Sequence, residues 1–215
     1  MKPFMHLVAA AATVAFSTVL VAAPAAAAEA PDVLVKRISN EVIDSVKADK
    51  DIQAGNRTKI MELVNAKILP YVDAEKMTQQ AAGRHWRSAT PEQKQKLTKE
   101  FRDLLVYTYA GALSTIKNET VEFKPMRGSP ADNDVEVRSQ VNVARGEPIT
   151  LNYRLSNEKG SWKIYDVNVL GAWLVQTYTS TFNSEITKNG IDGLIKRLAE
   201  RNAQLASKPL AAPAK

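Results

Sequence analysis

The sequence contains no cysteine in 215 residues, and that absence excludes two things at once. No disulfide can hold the fold, so a packed hydrophobic core must do so. No cysteine follows the apolar leader to carry a lipid anchor, so the processed chain is expected to be soluble rather than tethered. A cysteine-free exported globular chain suits a bacterial periplasm. Histidine is almost as scarce: beyond the leader only His85 occurs, in GRHWRSAT. A Ser–His–acid triad would have to use it, and no G-x-S-x-G elbow supplies the serine. One histidine without cysteine cannot build the usual zinc set, and PADND (130–134) lacks the calcium-loop frame, so no metal site is expected. The nine glycines are scattered, with neither G-x-G-x-x-G nor a Walker loop, so no nucleotide cofactor is expected.

Charge is present but not concentrated. The chain carries +6, of which Lys2 belongs to the leader, leaving +5. No block of five like charges occurs, which reads as a solvated mixed surface. An exported chain without a basic cluster is not expected to bind nucleic acid.

What is there begins with a leader. MKPFMH, then an uncharged apolar run over 7–23, then APAAAA form a secretory signal, with cleavage expected after Ala28. Residues 29–206 are expected to make a single domain, and 207–215, polar and proline-rich, a disordered tail.

The first half has helical periodicity. Val33, Leu34, Ile38, Val42, Ile43 and Val46 recur at helical spacing behind Pro31, and Ile60, Leu63, Val64 and Ile68 form a second amphipathic helix ended by Pro70. DAEKMTQQAAG predicts a short helix with an Asp cap and a Gly stop. Thr90-Pro91-Glu92-Gln93 is a capping-box start, and the helix it opens is expected to run to about Ile116. Leu97, Phe101, Leu104, Leu105, Thr108 and Ile116 make one stripe, which Val106, Tyr109, Ala110 and Leu113 widen beyond a normal face.

The period then switches to two. Strands are predicted over 119–123, 134–143, 148–157 and in SWKIYDVNV, joined by short connections as an antiparallel meander. In the last of these, Trp162 and Ile164 point to one side, and Tyr165, Val167 and Val169 to the other. The offset is what a bulge near Asp166 would produce. After Gly171 the helical pattern returns through Leu174, Val175, Tyr178, Phe182 and Ile186, breaks at Asn189-Gly190, and resumes with Ile191, Leu194, Ile195 and Leu198. The fold class is α+β: helices, a curved antiparallel sheet, then helices. Asp166 has two readings in this setting, a general base raised in pKa by burial or the hydrogen-bonded partner of a turn.

Five stretches, in order, carry a resemblance: GRHWRSATPEQKQKLTKEF, YAGAL, PITLNYRL, WKIYDVNVLGAWLVQTYTSTF and GIDGLIKRL. Together they resemble the periplasmic phospholipid-binding MlaC family, also called toluene-tolerance auxiliary proteins, over nearly all of 31–200. The chain departs from the family's usual pattern at Leu170, at Ala172-Trp173 and at Thr179. The resemblance implies a sheet like the nuclear-transport-factor-2 cone with an added helical subdomain. It also implies a monomeric carrier, not an enzyme, whose cargo is phospholipid. Its implied partners are an outer-membrane lipoprotein–porin complex and an inner-membrane ABC transporter complex, between which it keeps the outer membrane asymmetric.

Too much apolar surface converges for one ordinary core stripe, and a lipid cavity would explain it. Candidates for lining the acyl tails are Phe101, Leu104, Leu105, Tyr109, Val137, Val141, Leu151, Tyr153, Ile164, Val167, Val169, Trp173, Leu174, Val175, Tyr178 and Phe182. Two rival readings stand beside the carrier. One is an isomerase-type enzyme on the same cone, using Asp166 and a nearby tyrosine. The other is a periplasmic interaction protein with a filled core.

Overall fold

The computed structural model describes residues 29–129, 131–143, 147–158 and 160–210. The expected leader, 1–28, and the end of the expected tail, 211–215, lie outside the described residues.

Helices come first, and their starts follow from side-chain caps. Helix α1 (Pro31–Ala48) opens on its proline. The single turn α2 (Lys50–Gln53) is capped by Asp49, which accepts the N–H groups of Asp51 and Ile52. Helix α3 (Arg57–Lys67) is capped by Asn56, and Pro70 then turns the chain through a short 3₁₀ segment, Leu69–Tyr71. Helix α4 (Ala74–Ala82) starts at Asp73, whose carboxylate accepts the Lys76 N–H at 2.9 Å, and stops at Gly83. The capping box of α5 (Pro91–Tyr109) is present in both directions: Gln93 N–H donates to Thr90 Oγ1 at 3.2 Å and Thr90 N–H to Gln93 Oε1 at 3.0 Å. The predicted continuation to Ile116 is not α-helical; the backbone tightens into a 3₁₀ segment over Ala110–Thr115. Buried Ala110 and Gly111 lie where the turn tightens.

The sheet is an open antiparallel meander in the order β1-β2-β3-β4-β5. Its strands are β1 (Thr120–Arg127), β2 (Asp134–Asn142), β3 (Ile149–Ser156), β4 (Lys163–Val169) and β5 (Ala172–Trp173). A two-residue turn joins the last pair, with Leu170 at φ 53° and Gly171 at φ 90° between the paired Val169 and Ala172. Two successive positive φ values match the right-handed twist of a hairpin.

The bulge expected near Asp166 is there: Arg154 faces Asp166, but the next pair is Leu155 with Ile164, so Tyr165 is the extra residue. Its position corrects the side assignment made from alternation. The cross-strand pairs Leu155–Ile164, Tyr153–Val167 and Leu151–Val169 put Ile164, Val167 and Val169 on one face. Of the five apolar residues assigned from alternation, Tyr165 is the one that leaves this side, packing with the helical cluster while Trp162 stays with Ile164.

Two hydrophobic clusters result. The first lies between the concave face of the sheet and α1, α2 and α3, with Val35, Val46, Ile60, Val137, Leu155, Trp162 and Ile164 at its centre. The second is a helical subdomain in which Met77, Leu97, Phe101, Leu104, Phe182, Leu194 and Leu198 join α4, α5 and α6 (Leu174–Ala206), with Tyr165 reaching in from the sheet. The expected break in α6 occurs at Gly190, at φ 72° and ψ 178°. The first residues of the expected tail are placed against the protein. Leu210 packs on the first cluster, and Arg57 Nη1 donates to the carbonyls of Leu205 and Lys208 at 3.3 and 2.8 Å.

Candidate functional site

A cavity of about 200 Å³ lies at the seam of the two clusters. One wall is α5 and its 3₁₀ extension: Phe101, Arg102, Leu105, Val106, Tyr109, Ala110 and Leu113. Their spacing is that of one helical face. The opposite wall is the end of α3, the linker to α4 and the first turn of α4: Val64, Ile68, Leu69, Val72, Ala74 and Met77. Val167 of β4 and Leu174, the first residue of α6, close it from the sheet side. Val64, Ile68, Leu69, Val106, Leu113 and Val167 pack with the first cluster, whereas Met77, Phe101, Leu105 and Val72 pack with the second.

Local hydrogen bonding fixes these walls. Pro70 stops α3, and the released chain pairs with the sheet: Val72 bridges to Ile164, and Asp73 N–H donates to the Ile164 carbonyl at 2.8 Å. The linker therefore cannot swing away from β4 without breaking sheet-like bonds. On the other side, Phe101 meets Tyr178 and Phe182 edge to face, with ring centroids 5.1 and 4.9 Å apart. Tyr178 and Tyr109 share a hydrogen bond, and burial pushes the Tyr178 hydroxyl up to about 12. Burial raises Tyr109 as well. Both are therefore neutral dipoles at ordinary pH, and the cavity carries no ionised group from them.

Asp166 is next to this wall in sequence but does not line it. It is 2% exposed, and its Oδ1 accepts the N–H groups of Val167 and Val175 at 2.9 and 3.0 Å. Oδ2 lies 3.7 Å from Arg154 Nη1, and the Arg154 guanidinium stacks on Trp173 at 3.9 Å. Burial raises the Asp166 pKa, against the opposing pull of those two N–H bonds and of Arg154. The carboxylate joins the bulge of β4 to the first turn of α6. That is the turn-partner reading of the residue, and no lining tyrosine is paired with it. His85 lies outside the cavity too, its Nε2 2.9 Å from Asn183 Oδ1.

Of the residues named from sequence, Phe101, Leu105, Tyr109, Val167 and Leu174 meet at the cavity. Leu104, Val175, Tyr178 and Phe182 stand behind them in the helical cluster, and Val137, Tyr153 and Ile164 in the sheet cluster. The buried Tyr153 hydroxyl faces Ser39 and Ser139. Val141, Leu151 and Val169 are half-buried on the concave face beyond the cavity, and Trp173 is half-exposed on Arg154. Sequence reasoning missed Val64, Ile68, Leu69, Val72, Ala74, Met77 and Arg102. Its signal for Val106, Ala110 and Leu113 was the excess width of the α5 stripe. For the linker, the available signal was the apolar run Leu69-Pro70-Tyr71-Val72, too oily for a surface turn.

An open curved sheet with helices folded over one face defines an α+β fold, and the apolar cavity lies where its two clusters meet. The chain belongs to the MlaC family: residues 36–200 match the family model, whose description is MlaC protein. The chain is 26% identical over 195 residues to the intermembrane phospholipid transport system binding protein MlaC of Haemophilus influenzae, covering 89% of this chain and 91% of that one. It is 27% identical to toluene tolerance protein ttg2D of Pseudomonas putida, over 77% of each chain. A phospholipid-binding protein from Ralstonia solanacearum, solved in complex with a phospholipid, is 45% identical. It superposes with a TM-score of 0.78 over 84% of this chain and all of that one.

Proposed function

We propose that the chain is a periplasmic phospholipid carrier that holds acyl tails in the seam cavity and leaves the headgroup in water. It would collect lipid from an outer-membrane lipoprotein–porin complex and deliver it to an inner-membrane ABC transporter complex, or the reverse. The observation that carries this reading is the cavity wall, whose described residues are apolar apart from Arg102 and the Tyr109 hydroxyl. A relative at 45% identity that was solved with phospholipid bound supports the cargo class.

The energetics require enclosure. Burial is worth about 0.8 kcal/mol per methylene, and two long tails hold roughly 30 methylenes, so exposing them costs on the order of 20 kcal/mol. Only a cavity that surrounds the tails carries such cargo through water. Pockets that bury drug-sized ligands run from roughly 300 to 1,000 Å³. A diacyl cargo therefore needs the seam to widen beyond its 200 Å³. Its lining is divided between the two clusters, so a shift of one cluster against the other would widen it. Tails dominate the binding energy, so preference among headgroups is weak. On this reading the cargo is carried unchanged, and Asp166, which accepts backbone N–H bonds and does not line the cavity, serves the fold.

Native mass spectrometry of the processed protein, followed by extraction of what is released, tests this. A stoichiometric phospholipid is expected. A protein of bare chain mass that also takes up nothing from phospholipid vesicles would rule the carrier out in favour of an interaction protein.

A further inference from the structure

Among the described residues Arg102 is the one charged side chain of the cavity wall. It follows Phe101 on α5, and its side chain is 40% exposed, which suits a long side chain that lays its methylenes on apolar surface and keeps its head in water. There Nε and Nη2 donate to Asp103 Oδ1 at 3.0 and 2.8 Å. Among the described residues Nη1 has no hydrogen-bond partner.

Asp103 does not depend on Arg102. Lys99 Nζ donates to its other oxygen, Oδ2, at 3.0 Å, and also to Glu100 Oε1 at 3.0 Å. Glu100 in turn accepts from Asn202 at 2.8 Å. If Arg102 turns to another anion, Asp103 keeps a cation. The bond given up is a partly exposed ion pair between adjacent residues, with side chains 40% and 21% exposed, and water reaches the guanidinium that leaves it. The guanidinium is thus held at the edge of an apolar cavity by a carboxylate that it can leave at small cost.

On the carrier reading above, we infer that Arg102 binds the phosphodiester of the cargo lipid as it emerges from the cavity. A planar guanidinium matches phosphate geometry with charge-assisted bonds. The group recognised is the phosphate that all glycerophospholipids share, not the alcohol attached to it. The cavity then separates phospholipids from diacylglycerol, whose tails fit equally well, while treating different phospholipid headgroups alike.

The test measures capture from vesicles of phosphatidylethanolamine and phosphatidylglycerol. These carry equal trace amounts of labelled phosphatidylglycerol and labelled diacylglycerol. Wild-type protein is expected to prefer the phospholipid. Arg102→Gln, which removes the charge but keeps a polar side chain and the first two methylenes of the stem, is expected to lower that preference about tenfold, the scale of one hydrogen bond to a charged group. Arg102→Lys should recover part of it. Diacylglycerol capture reports on the tail cavity in the same sample. An unchanged ratio in Arg102→Gln, including one in which both captures fall together, overturns the assignment and leaves Arg102 a wall residue. Excess inorganic phosphate is expected to leave the wild-type ratio unchanged. Inorganic phosphate that binds lipid-loaded wild-type protein but not lipid-loaded Arg102→Gln would show Arg102 free of the cargo and overturns the lipid contact. Failure of wild-type protein to capture either lipid overturns the carrier reading itself.

Discussion

Asp166 Oδ1 accepts the Val175 N–H at 3.0 Å, tying the bulge of the fourth strand to the first turn of the last helix across nine residues of chain. The same oxygen holds the Val167 N–H. Both N–H groups would otherwise be orphans, and Val167 and Leu174, which flank this tie, line the cavity. Asp166→Ala is expected to cost about 1–3 kcal/mol, the usual penalty for buried donors left unpaired. Asp166→Asn keeps an acceptor and should cost less. Equal losses in urea melts of the two variants would show that charge, not acceptance, matters.

The pH dependence of that residue has a definite sign. Burial raises the folded-state pKa of Asp166 above its ordinary value. The native state therefore holds this proton more tightly than the unfolded chain does. Asp166 contributes most to stability below the unfolded carboxylate pKa, and its contribution falls as pH rises through the folded pKa. The stability of wild type minus that of Asp166→Asn should decline across this window. A difference that rises with pH would mean that Arg154, not burial, governs the group.

Filling the cavity should separate folding from cargo. Ala110 is buried and lines the seam. Ala110→Phe places an apolar ring in the space without exposing or charging anything. Thermal unfolding is expected to stay within about 5 °C of wild type, since overpacking is offset by new contacts. Co-purifying lipid should fall at least about tenfold, equivalent to roughly 1.4 kcal/mol. Along β4, Val167→Asp should abolish lipid retention and Val169→Asp, beyond the cavity, should spare it. Retained lipid in Ala110→Phe together with Val167→Asp would move the cargo to another place.

Gly190 sits at φ 72° and ψ 178°, a region essentially restricted to glycine. No side chain or backbone atom lies within 4 Å of a Cβ built there, so Ala is excluded by backbone strain alone. Gly190→Ala is expected to lower stability by about 1–3 kcal/mol, read from chemical denaturation. A neutral substitution would show that α6 can run straight through this point.

Arg57 links the start of α3 to the end of α6. Its Nη1 holds the carbonyls of Leu205 and Lys208, and its guanidinium lies 4.9 Å from the centre of the Tyr107 ring. Arg57→Ala should speed hydrogen exchange at Ser207 and Lys208 while leaving α5 amides unchanged. Unchanged exchange at those two residues would assign the docking of this segment to Leu210 instead.

Much of the fold is legible in the sequence because local chemistry sets it. Thr90 and Gln93 announce the start of α5 by themselves, since a capping box is a contact between residues three apart. Pro70, Gly83 and Gly190 end or bend helices through their own backbone constraints. The bulge beside Asp166 was also readable, but which residue it expels was not. That one-residue uncertainty reverses the face of every later side chain, so Val167 and Val169 join Ile164 instead of opposing it.

The sequence by itself determined the longer helices, the four long strands, their order and the excess of apolar surface, because hydrophobic period and capping act over a few residues. Only the tertiary structure decided where that surface leaves space. Periodicity says that Phe101, Phe182 and Leu105 must leave water, but not what meets them. Phe182 fills its side of Phe101 edge to face, whereas Leu105 meets Val64, Ile68 and Val72 across a gap. Packing against partners distant in sequence separates core from cavity, and no local pattern encodes that distance.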